Sequence, residues 1–236
     1  MKHKTSLIIA ILVIVFVGLC VLSWRYGFTV VPIQQVEQAK LGEAFDPVTF
    51  VDGIWESRLM PTITEKAIEL SEVLGEMKPD NSGMASKDSL IPITEKYGLI
   101  TVGEAHVYMV KGQGKVISID TKTSTGILNL QLDGYTGPIE IKIYIGPMIP
   151  SDESSVRDAV GFINFGDFRD QTGYGKVAAE INRRIIQIVL DPLDKADLQG
   201  KTISFCGAFT IRTFNLIKID LKKIKIVPTR IDIVKD

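Results

Sequence analysis

The chain has 236 residues and a net charge of −1, and hydrophobic residues make up 45% of it. Two of its 27 basic residues, Lys2 and Lys4, lie in the first 24 positions, so the remainder has 25 basic and 28 acidic residues. That acidic balance argues against nucleic-acid binding, which needs a basic surface. With two cysteines and two histidines, the chain has too few ligands for a usual zinc site, and we expect neither metal nor cofactor.

An uncharged, apolar segment occupies Thr5 to Trp24 near the N-terminus. As a helix it would span about 30 Å, which is the thickness of the hydrocarbon core of a bilayer. Lys2 and Lys4 precede it. Because positive flanks stay in the cytoplasm, we expect the rest of the chain outside the cytoplasmic membrane, as a single-pass protein.

Three interpretations of this segment stay open. It is a retained anchor with an aromatic edge at Trp24, a lipoprotein signal that ends at a lipidated Cys20, or a cleaved secretory signal. Leu19 stands directly before Cys20, where lipidation signals carry a small residue. All three interpretations predict a membrane anchor or signal segment at 1–26 and a single extracytoplasmic domain at 27–236.

Two helices are predicted next. Asp46 and Pro47 are typical of a helix start, with Asp as the N-cap and Pro at the first helical position. Residues 61–78 predict a second helix with one apolar face, made of Ile63, Ala67, Leu70 and Leu74. Together they form a helical extension at about residues 45–80. Residues 78–89 are rich in turn-forming residues and predict a surface loop.

From Glu104 onward the apolar pattern becomes that of strands. The predicted strands are 105–110, 116–119, 127–132 and 139–145, with a break at Gly112–Gly114, and later 201–206, 209–214 and 216–225. A helical region, 155–162 and 176–190, separates the two groups. Three strands, a helix and two strands is the order of an OB-type barrel, although an open α+β sheet fits the same order.

We therefore predict a mainly β fold with added helices: an OB-like closed or partly open barrel, N-terminal helices and one N-terminal transmembrane helix. A polar and aromatic stretch at 157–182 is its candidate binding region. Aromatic rings and planar hydrogen-bonding groups suit a sugar or another small polar ligand. The candidate residues are Arg157, Asp158, Phe165, Asp167, Phe168, Asp170, Gln171 and Tyr174.

The same side chains also fit a structural network, in which the rings plug the barrel end and charged pairs hold a long loop. Catalysis is not predicted. Glycoside hydrolysis needs two carboxylates at a fixed separation across a cleft, whereas Asp167 and Asp170 are three residues apart in one loop.

Three stretches resemble a bacterial family of predicted periplasmic lipoproteins with a domain of unknown function. They are 45–63, 114–147 and 157–210, of which RDAVGFINFGDFRDQTGYGKVAAEIN is the most specific. The resemblance covers nearly all of the chain beyond the anchor. It implies an OB-type barrel with added helices, lipidation at Cys20, and a link to sugar-type ABC transporters. Leu19 departs from the family's small residue, and no activity is implied because none is established for the family.

The predicted function is that of a membrane-tethered, non-enzymatic accessory or binding protein in the periplasmic or extracytoplasmic space. Its predicted partners are the membrane and either a sugar-like ligand or an ABC transporter component, and not nucleic acid. The alternatives are a hydrolase of cell-envelope carbohydrate and a purely structural scaffold.

Overall fold

The computed structural model describes Phe16 and residues 45–234. The predicted transmembrane helix at Thr5–Trp24 lies outside these residues, apart from Phe16, and so does Cys20. In the part of the chain that is described, no helix combines the length and the apolarity needed to cross a bilayer.

The helices and strands are numbered here in chain order. The helices are α1 Pro47–Ile54, α2 Met60–Lys66, α3 Leu70–Glu76, α4 Lys87–Tyr97, α5 Ser155–Ala159 and α6 Gln171–Ile185. The strands are β1 Ile68–Glu69, β2 Met84–Ser86, β3 Leu99–Ile100, β4 His106–Asp120, β5 Ile127–Leu132, β6 Glu140–Tyr144, β7 Thr202–Ile211, β8 Lys218–Asp220 and β9 Lys223–Ile233. Single turns of π-helix follow α1 and α6, at Trp55–Leu59 and Ile186–Leu190. The predicted mainly β fold with some helices is confirmed.

The predicted helix start at Pro47 is confirmed. The Asp46 carboxylate accepts hydrogen bonds from the backbone N–H groups of Val48 and Thr49, at 3.0 and 3.2 Å. These two donors have no partner inside the helix, so the cap stabilises the first turn of α1.

The prediction of one helix over 61–78 is wrong. Ala67 has an extended backbone with ψ of 129°, which ends α2. Ile68 and Glu69 then pair in parallel with Val110 and Lys111 of β4, and α3 starts afterwards. Pairing with a strand that lies far along the chain has overridden the helical pattern, although the predicted apolar face is buried.

The predicted surface loop at 78–89 also contains regular structure. It includes β2 and the start of α4, where the Ser86 hydroxyl accepts a hydrogen bond from the backbone N–H of Ser89 at 3.2 Å. Pro92 lies inside α4. Because an interior proline usually interrupts a helix, the sequence pattern does not predict α4.

Five strands pair in a closed ring. Their order is β4, β5, β6, β9 and β7, and β7 pairs again with β4. All of these pairings are antiparallel except that of β6 with β9, which is parallel. Because the ring is closed, each of its five strands pairs with a neighbour on both sides.

The sequence predicts breaks at Gly112–Gly114 and between residues 206 and 209, but β4 and β7 are continuous at these positions. Glycine lets the neighbouring strand approach closely there. β4 continues through Gly112 and Gly114 for 15 residues. A Cβ at Gly114 would collide with the backbone carbonyl of Gln131 on β5, and one at Gly207 of β7 would collide with that of Val227 on β9. The glycines therefore mark tight strand pairing rather than turns.

Apolar side chains form two cores on opposite faces of the ring. Along β7, Phe205 and Phe209 belong to one cluster, whereas Cys206 and Ala208 belong to the other. This alternation follows from the two-residue period of a strand. The first cluster lies among the ring strands with α3 and α4, and the second lies under α1, α2, α5 and α6.

A buried hydrogen-bond network ties α4 to the first core. Thr94 Oγ1 lies 2.9 Å from the Leu90 carbonyl oxygen, 2.6 Å from His106 Nδ1 and 2.6 Å from the Tyr108 hydroxyl. A hydroxyl has one proton, and the carbonyl can only accept. It follows that Thr94 donates to Leu90, while His106 Nδ1–H and the Tyr108 hydroxyl both donate to Thr94.

This network predicts a pH-dependent stability. Burial, and secondarily Lys87, lower the pKa of His106 in the folded chain. The unfolded chain therefore binds a proton first, at about pH 6.5, so stability is complete above that pH and is lost as the pH falls through the folded pKa. Urea unfolding between about pH 8 and about pH 5 should show this loss in the wild type and not in His106→Gln.

The carboxylates of Glu76 and Asp152 lose their contributions in a lower pH range than the histidine does. Hydrogen bonds to Lys96 and Arg212 lower their pKa values, so the stability that they contribute is present above their unfolded pKa values and is lost as the pH falls through the lowered ones. Equal pH dependence in the wild type and His106→Gln would show that the histidine has no such role.

Candidate functional site

Three of the predicted site residues form a compact network between α5 and α6. Asp158 Oδ1 lies 2.8 Å from Arg157 Nε and 2.7 Å from Arg157 Nη2, and it accepts a hydrogen bond from the Tyr174 hydroxyl at 3.0 Å. The Arg157 guanidinium also lies 3.5 Å from the centre of the Tyr174 ring. The charged side chains are only 10% and 11% exposed.

Two further hydrogen bonds hold the network in place. Arg157 Nη1 donates to the Tyr174 backbone carbonyl at 3.0 Å, and Ser154 Oγ donates to Asp158 Oδ2 at 2.6 Å. Burial, together with the nearby charge of Asp158, raises the pKa of Tyr174 to about 12. Tyr174 therefore keeps its proton and remains a hydrogen-bond donor to Asp158.

The two predicted phenylalanines pack against this network. The Phe165 ring meets the Tyr174 ring edge-on at 5.6 Å, and Phe165 is 52% exposed. The Phe168 ring lies 5.5 Å from Tyr174 and 5.4 Å from Phe50 of α1. Phe168 thus joins the loop before α6 to the N-terminal helices, which is a packing role.

The remaining predicted residues stand at helix starts. Asp167 accepts a hydrogen bond from the backbone N–H of Asn164 at 3.1 Å, and Asp170 accepts one from Gly173 at 2.8 Å as the N-cap of α6. Gln171 is the first, exposed residue of α6. The structure does not bring these three into the Arg157 network, and ligand binding by the eight residues stays a prediction.

The hydrolase alternative depends on the carboxylates of this region. It requires two carboxylates that face a cleft at a catalytic separation. Asp158 is held by Arg157, Tyr174 and Ser154, while Asp167 and Asp170 accept backbone N–H groups. These three carboxylates are thus engaged by other groups of the protein.

A groove of about 490 Å³ opens beside the network, where β4 begins and β7 ends. We call it the β7 groove. It is lined by Gly103, Ala105, Asp152, Glu153, Ser154, Asp158, Thr210, Arg212, Thr213 and Phe214. Asp158 links the groove to the predicted site, because it lines the groove and its carboxylate also contacts Arg157 and Tyr174.

Most of the surface that lines the β7 groove is apolar, and its polar groups are mainly carboxylates and hydroxyls. Asp152 pairs with Arg212 Nη1 at 2.9 Å, and this contact lowers the pKa of the Asp152 carboxyl. Glu153 accepts hydrogen bonds from the backbone N–H and hydroxyl of Ser155, and that hydroxyl lies 2.7 Å from Thr210 Oγ1. The groove thus offers carboxylate acceptors, partly engaged by Arg212 and Ser155, beside apolar surface.

An aromatic ring stands at the mouth of the groove. Phe214 is 64% exposed and belongs to the loop between β7 and β8. An exposed ring beside hydrogen-bond acceptors can cover the apolar face of a polar ligand. Two features of the sequence point to this site. They are the polar run Ser151–Ser155, which follows a Gly-Pro turn, and Phe214, which lies between two strands.

The fold and the comparisons define the class of protein. A crystal structure of an OB-fold protein from Thermotoga maritima is similar to this chain, with a TM-score of 0.58 and 17% identity, over 81% of this chain and 100% of that one. At this identity the likeness shows the fold alone. No curated protein matches the sequence.

The model of a family described as predicted periplasmic lipoprotein (DUF2291) matches residues 13–232. The chain belongs to this family, which confirms the resemblance found in the sequence. Membership indicates an extracytoplasmic, membrane-associated protein. It leaves the activity and the means of attachment undefined.

The thiols offer a test of the attachment. Cys206 is buried, and burial raises the pKa of its thiol, so we expect no reaction with Ellman's reagent in the folded chain and full reaction after unfolding. After unfolding in detergent, two reactive thiols would show an unmodified Cys20, and one would agree with lipidation or removal of Cys20. Cys206→Ala is the control, since it should change only the signal of the unfolded chain.

Proposed function

We propose that this protein is a non-enzymatic, membrane-tethered binding module that holds a hydroxyl-rich, sugar-type ligand in the β7 groove, outside the cytoplasm. The observation that carries this proposal is the convergence of Asp152, Glu153 and the exposed ring of Phe214 on one groove. Carboxylates accept hydrogen bonds from hydroxyl groups, and an aromatic ring covers the apolar face of a sugar.

The position of the groove agrees with general OB-fold behaviour. We take the closed ring of five strands as an OB-type barrel, in which β7 and β9 are the last two strands of the ring along the chain. OB-folds bind oligonucleotides and oligosaccharides with loops that include the one between those strands. Here that loop contributes Thr213 and Phe214 to the groove. This support is an analogy between folds, and the chemistry of the lining decides the ligand class.

The Arg157 network has a supporting role in this proposal. Arg157 and Tyr174 both contact Asp158, and Arg157 also donates to the Tyr174 carbonyl, so these groups mainly bind one another. Arg157 and Tyr174 fix the position of Asp158, and Asp158 lines the groove. The predicted site and the groove are thus two parts of one region.

The means of attachment and the transport partner remain predictions. A retained single-pass helix and a lipidated Cys20 both agree with family membership. The link to sugar-type ABC transport rests on the resemblance alone, and a structural scaffold is the competing interpretation of the same residues.

The proposal predicts saturable binding in a titration of the full-length chain, in detergent, against a panel of mono- and oligosaccharides. A binding sugar near 100 times its Kd should add about 2.7 kcal/mol to the stability of the folded chain and raise its Tm. Phe214→Ala should weaken binding about 10-fold, the effect of losing an aromatic contact of about 1.4 kcal/mol. Asp152→Asn should weaken it about 10–100-fold, because a charged hydrogen bond is lost.

Matched controls are available at exposed positions elsewhere. Ile117→Ala removes a 58% exposed apolar side chain of β4, and Asp133→Asn removes an exposed carboxylate of the turn after β5. Both variants should bind as the wild type does. A panel in which no sugar binds, or in which the groove variants bind as well as the controls, would favour the scaffold interpretation.

A further inference from the structure

Large apolar side chains protrude from two neighbouring loops beside the β7 groove. Val102 is fully exposed, Ile217 is 86% exposed, and Leu216 is 48% exposed. We call these three residues the apolar tip; Phe214, in the same loop, faces the β7 groove. Exposed apolar residues are common singly, but a group of this kind usually marks an interaction surface.

The two loops are held against each other. The Thr213 hydroxyl donates to the Glu104 carbonyl oxygen, which joins the two loops. The Ile217 carbonyl accepts the backbone N–H of Lys87 at 2.9 Å, which fixes the second loop to the start of α4. Glu104 and Asn215 have φ values of 59° and 58°, and they are the non-glycine residues with positive φ in the described chain. Such a backbone persists only where its surroundings hold it, so the loops have a defined shape that presents the apolar tip.

We propose that the apolar tip inserts into the interfacial region of the lipid bilayer to which the chain is attached. Residues 99–103 and 213–217 carry no charged side chain; the charged residues next to them are Glu104, Lys218 and Arg212, of which Glu104 pairs with Lys87 and Arg212 with Asp152. Exposed apolar side chains between charged groups that stay in water suit the boundary between acyl chains and headgroups. Family membership places the chain at a membrane, so the bilayer is the surface that these loops can meet.

The tether is long enough for this contact. Between Trp24 and Phe45 lie 20 residues, which span at most about 70 Å. A domain of this size has a diameter of roughly 40 Å, so any of its faces can reach the bilayer from an attachment at Cys20 or Trp24. Because the tether keeps the local lipid concentration high, a few inserted side chains suffice to orient the domain.

The test places a polarity-sensitive dye on the tip of the full-length chain. Ile217→Cys and Val102→Cys are labelled with a nitrobenzoxadiazole maleimide in vesicles of phosphatidylcholine and phosphatidylglycerol. Ile117→Cys, an exposed apolar position on the outer face of β4, is the matched control. Cys206 is buried, and a labelled Cys20 gives the same background in every variant, which the unsubstituted chain measures.

We expect blue-shifted emission, and loss of fluorescence with lipid-borne quenchers, for the dye at positions 217 and 102 and not at 117. Equal solvent exposure at all three positions would overturn the proposal, as would equal quenching at all three. Protection at 217 and 102 only in native membranes, and not in pure lipid, would also overturn it, because the tip would then contact a membrane protein. Neither probe position lines the β7 groove, so the result is separate from ligand binding.

Discussion

Asp158→Ala should lower the free energy of unfolding by about 3–5 kcal/mol, because it leaves Arg157 buried without its charged partner. The two side chains are about nine-tenths buried, and Asp158 Oδ1 is shared between Arg157 and the Tyr174 hydroxyl. Losing one partner of such a pair costs far more than the pair contributes in total. Urea unfolding followed by the fluorescence of buried Trp55 measures the loss.

Asp167→Ala is the matched control for this prediction. Asp167 lies in the same region and also accepts a hydrogen bond, but it is exposed and only caps a short turn. Its removal should cost about 1 kcal/mol. Replacing both members together, Arg157→Met with Asp158→Leu, should restore much of the stability lost in Asp158→Ala. If Asp158→Ala costs no more than Asp167→Ala, the network is not a buried ion pair in solution.

Phe209→Ala should destabilise the fold by about 3–5 kcal/mol through the cavity that it leaves. Phe209 is fully buried in the first core, and its ring stacks on that of Tyr108 at 4.8 Å with an angle of 13° between the planes. Tyr108 in turn donates to Thr94, so the cavity would also loosen the contact between α4 and the ring. Equilibrium unfolding in urea gives the value.

Phe214→Ala offers a control of identical chemistry a few residues away. Because Phe214 is 64% exposed, its truncation should change stability by less than about 0.5 kcal/mol. The same variant is expected to weaken sugar binding, so it separates stability from function. Equal losses in Phe209→Ala and Phe214→Ala would contradict the assignment of the first core.

The helices and strands that are predicted correctly depend on residue patterns that are local in the sequence. Asp46 before Pro47 identifies a helix start without reference to the rest of the chain. The alternation around Ile141 and Ile143 identifies β6, because one face of the strand is buried in the first core. These features depend on neighbouring residues alone, which is why they are readable from sequence.

Contacts between segments that are far apart in the chain determine the parts of the fold that the sequence does not predict. Ile68 leaves a helical pattern because it pairs with Val110, and Gly114 continues a strand because β5 approaches closely. The β7 groove combines segments around residues 103, 153 and 213, which closure of the ring brings together. A stretch such as 157–174 draws attention because its polar and aromatic residues are contiguous, yet most of them cap helices or pair with one another.

The most direct test of the proposed function is a crystal structure of the chain bound to the tightest-binding sugar of the panel. The proposal predicts the sugar in the β7 groove, with its hydroxyl groups within hydrogen-bond distance of Asp152 or Glu153 and one face against Phe214. A sugar bound at the exposed loop around Phe165 and Asp170, with the groove free of it, would contradict the proposal.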